Sequence, residues 1–273
     1  MLSSQNITSL NGQHTEVVKT SCENELIMNL DRYKVSFNNR ESVTQIIKEV
    51  YHTNEYSFES STDSPMIIDA GSNIGISAMF FKSHYPNANI ICFEADNNAF
   101  TMLEKNIHQN ALKNVTAIHA ALSSQEGEIE FYGQIDTDSP DARGNSILPE
   151  WGCQRASNQS IKVKAERLST YLNQPVNCLK IDIEGAEQQV LEESFRQLHW
   201  VENIILEIHS AEGIQSVNDY DKIMDLLKKA GFHLVVKQKN LDDLYREDLL
   251  PKAICSWVKK LHPKLFLVKG TRR

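Results

Sequence analysis

The chain has 273 residues, of which 41% are hydrophobic and 23% are charged, values that are ordinary for a globular protein with a substantial core. Its 28 lysines and arginines stand against 36 aspartates and glutamates, and the net charge of −8 argues against nucleic acid or an anionic membrane surface as a partner. No apolar run approaches the length of a membrane-spanning helix, so membrane insertion is not expected.

The cysteines and the N-terminus bear on the cellular compartment. The five cysteines show no C-x-x-C spacing, which argues against a zinc ribbon or a redox pair, and their odd number fits a reducing environment. The polar N-terminus lacks the apolar region of a signal peptide. We therefore expect a cytoplasmic protein, and nothing in the sequence indicates its oligomeric state.

The first 65 residues are expected to form an N-terminal helical cap. Residues 1–40 are weakly patterned, but "ESVTQIIKEVYHTNEY" places its apolar residues on one helical face. Ser42 and Gln45 in this stretch have the spacing of a capping box. The polar, turn-rich residues 59–65 are typical of a linker into the next unit.

From residue 66 onward the hydrophobic pattern predicts an α/β fold. Apolar runs typical of buried parallel strands alternate with amphipathic helices, which predicts a seven-stranded, doubly wound, Rossmann-like sheet. The predicted strands lie at 66–69, 89–95, 114–119, the start of 177–187, 201–210, 232–237 and 264–270, and the last helices at 217–230 and 252–261. We expect one domain over 66–273.

An insertion interrupts this alternation at about residues 127–165. Residues 127–133 and 160–165 alternate with a period of two, which predicts half-exposed antiparallel strands of a β-hairpin. The 26 residues between them, 134–159, form an unusually long loop for a compact domain. Such a loop is typical of a lid or a binding segment.

The stretch "MIIDAGSNIG", residues 66–75, contains the first strand-to-helix loop, where ligands of such sheets bind. A nicotinamide-binding loop requires G-x-G-x-x-G, but Asn73 and Ile76 occupy the second and third glycine positions counted from Gly71. Asp69 at the mouth of the loop would repel a pyrophosphate and suits a cationic ligand. The sulfonium and amino groups of S-adenosylmethionine meet this requirement, and Glu94 at the end of the second strand is placed to accept hydrogen bonds from both ribose hydroxyls.

Several blocks of the sequence resemble the FkbM-type methyltransferases. These blocks are "IIDAGSNIG", "ICFEADNNAFTMLEKNI", "NVTAIHAALSSQEGEIEFYG", "CLKIDIEGAEQQVLEE" and "NIILEIHS", which together span roughly residues 42–210. The resemblance implies the class I methyltransferase fold, S-adenosylmethionine as methyl donor with S-adenosylhomocysteine as product, and O-methylation of a hydroxyl on a sugar, glycan or other secondary metabolite. Ala95 departs from the family pattern, in which proline usually follows the glutamate.

The resemblance also implies a set of donor-binding residues. The residues carried over are Asp69, Gly71, Asn73, Gly75, Glu94, Asp96, Asn97, Ala120, Ala121 and Asp182. The loop residues should line the methionine part of the donor, Glu94 the ribose, and the two alanines the adenine. Asp96 has an alternative role, because it is equally well placed to cap the helix that it precedes.

Catalytic candidates follow from the fourth and fifth strands. Lys180, Asp182 and Glu184 alternate along "KIDIEG", so they point the same way if the strand persists, and Glu207 and His209 alternate at the end of the next strand. His209 is the first choice for the general base and Asp182 the second, while Lys180 either pairs with an acid or polarises the acceptor.

A divalent cation is an alternative use of these side chains. Asp182, Glu184, Glu207 and His209 could hold magnesium or calcium, as in metal-dependent O-methyltransferases, but no spacing demands it and the metal stays unassigned.

The acceptor site is expected to involve the insertion. Arg143, Asn145, Trp151 and Arg155 are candidates to contact the acceptor, with Glu207 from the sheet, since sugar rings stack on tryptophan and bond to polar side chains. Three competing functions remain open: a nicotinamide oxidoreductase, a nucleic-acid N-methyltransferase and a non-catalytic donor-binding module. The first lacks its glycines, and the second lacks an Asn- or Asp-Pro-Pro-aromatic motif after the fourth strand, where this chain has "DIEG".

Overall fold

The structure is a computed structural model that describes residues 4–6, 16–19, 26–133, 143–152, 160–211, 214–239 and 264–272. The predicted helix at 252–261 and the predicted acceptor contact of Arg155 lie outside the described residues. So do three of the five cysteines, whereas Cys92 and Cys178 are buried free thiols of the core.

The described residues form fourteen strands and six α-helices. The strands are β1 (Ser4–Asn6), β2 (Glu16–Lys19), β3 (Leu26–Leu30), β4 (Tyr33–Phe37), β5 (Met66–Ala70), β6 (Asn89–Glu94), β7 (Val115–His119), β8 (Ala121–Leu122), β9 (Gly127–Tyr132), β10 (Ser160–Glu166), β11 (Val176–Ile181), β12 (Val201–Ser210), β13 (His233–Gln238) and β14 (Lys264–Thr271). The helices are α1 (Arg40–Ile47), α2 (Ile76–His84), α3 (Asn97–Gln109), α4 (Pro149–Gly152), α5 (Glu187–Glu193) and α6 (Tyr220–Lys229). A π-helical turn, Lys48–His52, continues α1, and 3₁₀ turns occupy Leu168–Thr170 and Phe195–Trp200.

The predicted seven-stranded sheet is confirmed, with the order β13-β14-β12-β11-β5-β6-β7. The pairs from β12 through β11, β5 and β6 to β7 are parallel, and β14 runs antiparallel to both of its neighbours. The chain order reverses between β5 and β11, so the crevice at their carboxyl ends is where such a sheet binds ligands.

Both faces of this sheet are covered. Along β5, Ile67 packs in one hydrophobic cluster and Ile68 in the other, because successive side chains of a strand point to opposite faces. The first cluster joins the sheet to α2 and the N-terminal segment, and the second joins it to α5 and α6. The continuous apolar runs in the sequence therefore correspond to strands that are buried on both faces.

The N-terminal segment contains the expected helix and also a sheet that the sequence did not predict. Strands β1 to β4 form an antiparallel meander, and Val35 and Phe37 of β4 are buried in the same cluster as Ile67. Helix α1 begins at Arg40, where Asn39 is the N-cap, and its side-chain oxygen accepts the backbone N–H of Ser42 at 3.0 Å. The capping box predicted at Ser42 is therefore wrong.

The insertion contains the predicted antiparallel pair. Strands β9 and β10 pair over six residues, and β8 adds to the other edge of β10 in parallel. A bridge between Tyr132 and Ser146 then brings residues 143–152 back toward the carboxyl edge of the large sheet. This return places insertion residues beside the crevice.

The loop after β5 is shaped by a close approach to β11. Gly71 has a φ of +78°, and a Cβ built on it would lie 1.8 Å from the backbone oxygen of Asp182. Only glycine satisfies both the left-handed conformation and this contact. The loop therefore lies directly against the residue that follows β11.

Replacing Gly71 by alanine is expected to destabilise the fold more than the same change at Gly231. Gly231 also has a positive φ, +88°, but a Cβ added there would meet nothing within 4 Å, so Gly231→Ala should cost only the left-handed strain of about 1–2 kcal/mol. Gly71→Ala adds a clash with backbone and should cost at least about 2 kcal/mol more. Urea unfolding of both variants measures the difference, and equal losses would contradict the close approach.

Candidate active site

A cavity opens at the carboxyl edge of the sheet, with about 1370 Å³ of empty space that is partly open to solvent. The loops after β5, β6, β7 and β11 and the end of β12 form its floor. The N-terminal segment and the insertion form its walls. The candidate residues at the strand ends are therefore brought together, as the position of ligand sites in such sheets predicts.

Asp69 occupies a different position from the one predicted. It is fully buried and does not line the cavity; its Oδ2 accepts the hydroxyl of Ser77 at 2.5 Å, and its Oδ1 lies 3.2 Å from Nζ of Lys180. Gly71 and Asn73 do line the cavity, whereas Gly75 lies behind them as the left-handed N-cap of α2. The acid at the loop therefore fixes Lys180 rather than facing a ligand.

Lys180 joins the loop after β5 to β11. Its Nζ donates to the carbonyl oxygen of Gly71 at 2.7 Å and lies 3.7 Å from Oδ2 of Asp182. Burial alone would lower the pKa of Lys180, but Asp69 and Asp182 outweigh burial and raise it. Of the two predicted roles, these contacts support the structural ion pair.

Glu94, the last residue of β6, lines the cavity, and both of its carboxylate oxygens are held by hydrogen bonds. Its Oε2 accepts the backbone N–H of Asn73 at 2.8 Å, and its Oε1 accepts that of Asp96 at 2.8 Å. Burial, helped by the charge of Asp96, raises the pKa of Glu94 to about 7. Each carboxylate oxygen has a second lone pair, so two further hydrogen bonds, as from the two hydroxyls of a ribose, can be accepted.

Asp96 caps α3, the alternative role that the sequence left open. Its Oδ1 accepts the backbone N–H groups of Asn98 and Ala99, both at 2.9 Å. Its Oδ2 accepts Nδ2 of Asn145 at 3.2 Å, which ties the insertion to the helix. Asp96 does not line the cavity, and Asn97 is exposed outside it, whereas Asn145 is buried and lines it.

An apolar slot adjoins Glu94. The predicted small residues Ala120 and Ala121 line it, together with Phe131 and Ile147 of the insertion, which the sequence did not single out. Small side chains and an aromatic ring lining the same space are suited to a flat ring, so the position suits an adenine.

Glu184 anchors the insertion to the sheet. Its Oε1 accepts the backbone N–H of Gly144 at 2.7 Å, its Oε2 accepts Nε1 of Trp151 at 2.9 Å, and its backbone oxygen accepts the hydroxyl of Ser146 at 2.6 Å. Trp151 is only 1% exposed and lies behind the cavity, with its ring edge-on to His209. The predicted stacking of a sugar on Trp151 is therefore wrong, because its faces are covered.

His209 is surrounded by carboxylates. Its Nδ1 lies 3.0 Å from Oε1 of Glu187, and its Nε2 lies 3.2 Å from Glu184 and 3.8 Å from both Asp182 and Glu207. Burial alone would lower the pKa of His209, but the carboxylates of Glu184 and Glu187 outweigh burial and raise it to about 10. An imidazole that already carries its proton does not accept another, so the assignment of His209 as general base does not fit its surroundings.

Asp182 and Glu207 face the cavity beside His209. The pKa of Asp182 is lowered although burial opposes this, because Lys180 and His209 are close. Burial raises the pKa of Glu207 to about 7 despite Lys239, whose Nζ lies 2.6 Å from Oε2 of Glu207. Both carboxyl groups are therefore placed to act on a bound acceptor.

The N-terminal segment supplies a wall that the sequence missed. Gln45, Glu49 and Tyr56 line the cavity, and the hydroxyl of Tyr56 donates to Oδ2 of Asp182 at 3.4 Å. The predicted Arg143 also lines the cavity and donates a hydrogen bond to the side chain of Gln45. Glu49 lies in the π-helical turn, a local structure that is frequent at functional sites.

Comparison with known proteins identifies the family of this site. Residues 69–234 match the family described as "Methyltransferase FkbM domain". "Methyltransferase sdnD" of Sordaria araneosa is 30% identical, in a match that covers 69% of this chain and 82% of that protein. The chain belongs to the FkbM methyltransferase family.

Two further relatives of this FkbM methyltransferase have more specific names. "Hexuronic acid methyltransferase AglP" of Haloferax volcanii is 28% identical and covers 68% of this chain and 70% of its own. "2-O-methyltransferase NoeI" of Sinorhizobium fredii is 26% identical and covers 63% of this chain and 74% of its own.

Membership of the FkbM family fixes the cofactor and the general reaction. The chain is an S-adenosylmethionine-dependent methyltransferase, as the sequence predicted. The family match includes the loop after β5, Glu94, Asp182 and His209, but it begins after Glu49 and Tyr56. Among the described residues, no helix combines the length and the apolar character that crossing a membrane requires.

The pKa of Glu94 predicts a pH dependence of donor binding. Ribose hydroxyls require the carboxylate, and a pKa of about 7 leaves Glu94 mostly ionised at pH 8 and mostly protonated at pH 6. The Kd for S-adenosylhomocysteine, measured by isothermal titration calorimetry, should therefore weaken as the pH falls through 7, by up to about tenfold.

The variant Glu94→Gln is the control for this titration, because glutamine does not ionise in this range. It should bind more weakly at pH 8 and lose most of the difference between pH 8 and pH 6. The same pH dependence in both proteins would show that another group is responsible.

Proposed function

We propose that the protein transfers the methyl group of S-adenosylmethionine to a hydroxyl of a sugar, glycan or secondary metabolite. The observation that carries this proposal is the division of the cavity into two ends. At one end the carboxylate of Glu94, which accepts two backbone hydrogen bonds, lies beside an apolar slot. At the other end two carboxyl groups, those of Asp182 and Glu207, face the same space. The first end suits a nucleoside, and the second suits a group with a proton to lose.

The residues of the donor end fit S-adenosylmethionine. Glu94 accepts the ribose hydroxyls, Ala120 and Ala121 accommodate the adenine, and Gly71 lets the loop approach the methionine part closely. When bound, S-adenosylmethionine supplies an activated methyl group, whose C–S bond breaks as a bond to the acceptor oxygen forms. The chain must then hold the acceptor oxygen in line with that bond.

The acceptor end orients the hydroxyl and receives its proton. Asp182 takes this role in place of His209, because its lowered pKa keeps it ionised and it faces the cavity. His209, through its position 3.8 Å from Asp182, stabilises that carboxylate as a neighbouring positive charge. Proton transfer by a positioned carboxylate contributes about 10²–10⁴ to the rate of such reactions.

A hydroxyl of a carbohydrate is the favoured acceptor class. The names of two relatives, a 2-O-methyltransferase and a hexuronic acid methyltransferase, support this choice. The carboxyl-rich acceptor end and the net charge of −8 disfavour a nucleic acid, whose phosphates would be repelled.

The cytoplasmic location and the division of the chain at residue 65 remain predictions from the sequence.

The proposal predicts which atom is methylated and which carboxylate assists. With methyl-labelled S-adenosylmethionine and a panel of monosaccharides, oligosaccharides, polyketide alcohols and transfer RNA, label should appear as an ether on a hydroxyl of a small molecule or glycan. Asp182→Asn should lower kcat about 10²-fold or more and leave the Kd for S-adenosylhomocysteine within about threefold.

The matched control is Asp225→Asn, an exposed aspartate on α6 that should keep full activity. Label confined to RNA, or to nitrogen of any acceptor, would contradict the proposed acceptor class. An unchanged kcat in Asp182→Asn would remove Asp182 as the group that receives the proton.

A further inference from the structure

We propose that Asp182, Glu207 and His209 bind one divalent cation of the Mg²⁺ or Mn²⁺ type at the acceptor end of the cavity. The three side chains offer one ligand atom each, and these atoms all lie within 4.8 Å of one another. Nε2 of His209 is 3.8 Å from Oδ1 of Asp182 and 3.8 Å from Oε1 of Glu207. Two ligands about 2.1 Å from such an ion lie about 3.0–4.2 Å apart, so the atoms need little movement.

The orientation of His209 is an independent observation that points to a cation. Glu187 is fully buried, and its Oε1 lies 3.0 Å from Nδ1 of His209 and accepts the backbone N–H of Gly185 at 3.0 Å. Asn218 donates to the other oxygen of Glu187 at 2.5 Å. A carboxylate held behind a histidine in this way fixes the ring and directs its second nitrogen toward a metal ion.

Among the described residues, three carboxylates surround the second nitrogen. The side chain of His209 is 4% exposed, and its Nε2 faces Glu184, Asp182 and Glu207. A metal ligand must be deprotonated, so a bound ion takes the place of the proton that Nε2 otherwise shares with Oε2 of Glu184, 3.2 Å away. A positive charge among these atoms satisfies the nitrogen and the oxygens together.

The charges around the cavity favour an additional cation. Among the described residues, contacts link seven carboxyl groups to three ammonium groups, those of Lys180, Lys237 and Lys239, and to the imidazole of His209. The seven are Glu49, Glu55, Asp69, Asp182, Glu184, Glu187 and Glu207. A second trio of ligand atoms, from Glu49, Glu55 and Glu207, is also close together. Nζ of Lys239 already lies 2.9 Å from Glu55 and 2.6 Å from Glu207, so that trio has its cation.

The donor set selects the kind of ion. One imidazole nitrogen and two carboxylate oxygens suit Mg²⁺ or Mn²⁺; Ca²⁺ takes six to eight oxygens, and structural Zn²⁺ prefers more nitrogen or sulfur. Glu184 is not one of the three ligands; its two oxygens accept Gly144 and Trp151 and hold the insertion beside the site.

The role of the ion rests on the proposed O-methylation. An acceptor oxygen bound to the ion has a lower pKa, so its proton leaves more easily as the new C–O bond forms and the C–S bond breaks. The proton passes to Oδ2 of Asp182, which binds the ion through Oδ1, the oxygen that lies 3.8 Å from Nε2 of His209. The ion also fixes the acceptor oxygen beside the donor.

The test measures metal binding separately from catalysis. Protein dialysed against EDTA and then freed of chelator is titrated calorimetrically with MnCl₂, with and without S-adenosylhomocysteine. We expect one Mn²⁺ per chain, displaced by excess Mg²⁺, and at least tenfold weaker binding in Asp182→Asn, Glu207→Gln and His209→Gln. The matched controls Asp225→Asn, Glu104→Gln and His233→Gln change exposed residues and should bind as the wild type does.

A spectroscopic measurement on the unaltered protein covers the case in which a variant fails to fold. Pulsed electron paramagnetic resonance of bound Mn²⁺ should show coupling to one imidazole nitrogen. The absence of saturable binding, or binding without that coupling, would overturn the site.

The two proposals fail in different ways. Full methylation of a hydroxyl in EDTA, together with no Mn²⁺ binding, would overturn the metal site and leave the O-methylation intact. Histidine-coordinated Mn²⁺ in a protein that methylates no hydroxyl would establish the site and refute the proposed function.

Discussion

The buried ion pair between Lys180 and Asp69 is the contact on which the cavity depends. The two residues face each other across the neighbouring strands β11 and β5, and both side chains are almost completely removed from water. From this position Lys180 also bonds the carbonyl oxygen of Gly71 and approaches Asp182. Removing one partner of such a pair typically costs about 3–5 kcal/mol, because the other charge is left buried alone.

This pair determines how the two ends of the cavity face each other. The ion pair holds the loop after β5 against Asp182. In this position Asn73 donates its backbone N–H to Glu94, and Asp182 faces the same cavity. The insertion and the N-terminal segment then close the walls, the first through Glu184 and the second through Tyr56. A methyltransferase needs this proximity more than it needs a strong base, since the methyl group arrives already activated.

Much of the fold and part of the cavity lining could be predicted from sequence patterns. The bounds of strand β12 agree with the prediction because the strand is apolar on both faces, and Glu94, Asp182 and His209 could be found because they follow or end strands that meet at one edge. The burial of Asp69 could not be predicted, since it depends on Lys180 being its neighbour in another strand. The positions of Trp151 and Tyr56 depend on how segments distant in sequence fold back onto the sheet, and no local periodicity encodes those positions.

The most direct test of the account is a crystal structure of the protein with S-adenosylhomocysteine bound. The account predicts both ribose hydroxyls within hydrogen-bonding distance of the Glu94 carboxylate, the adenine between Ala121 and Phe131, and the sulfur directed toward Asp182. A nucleoside bound away from Glu94, or turned so that the sulfur points away from the acidic end, would contradict it.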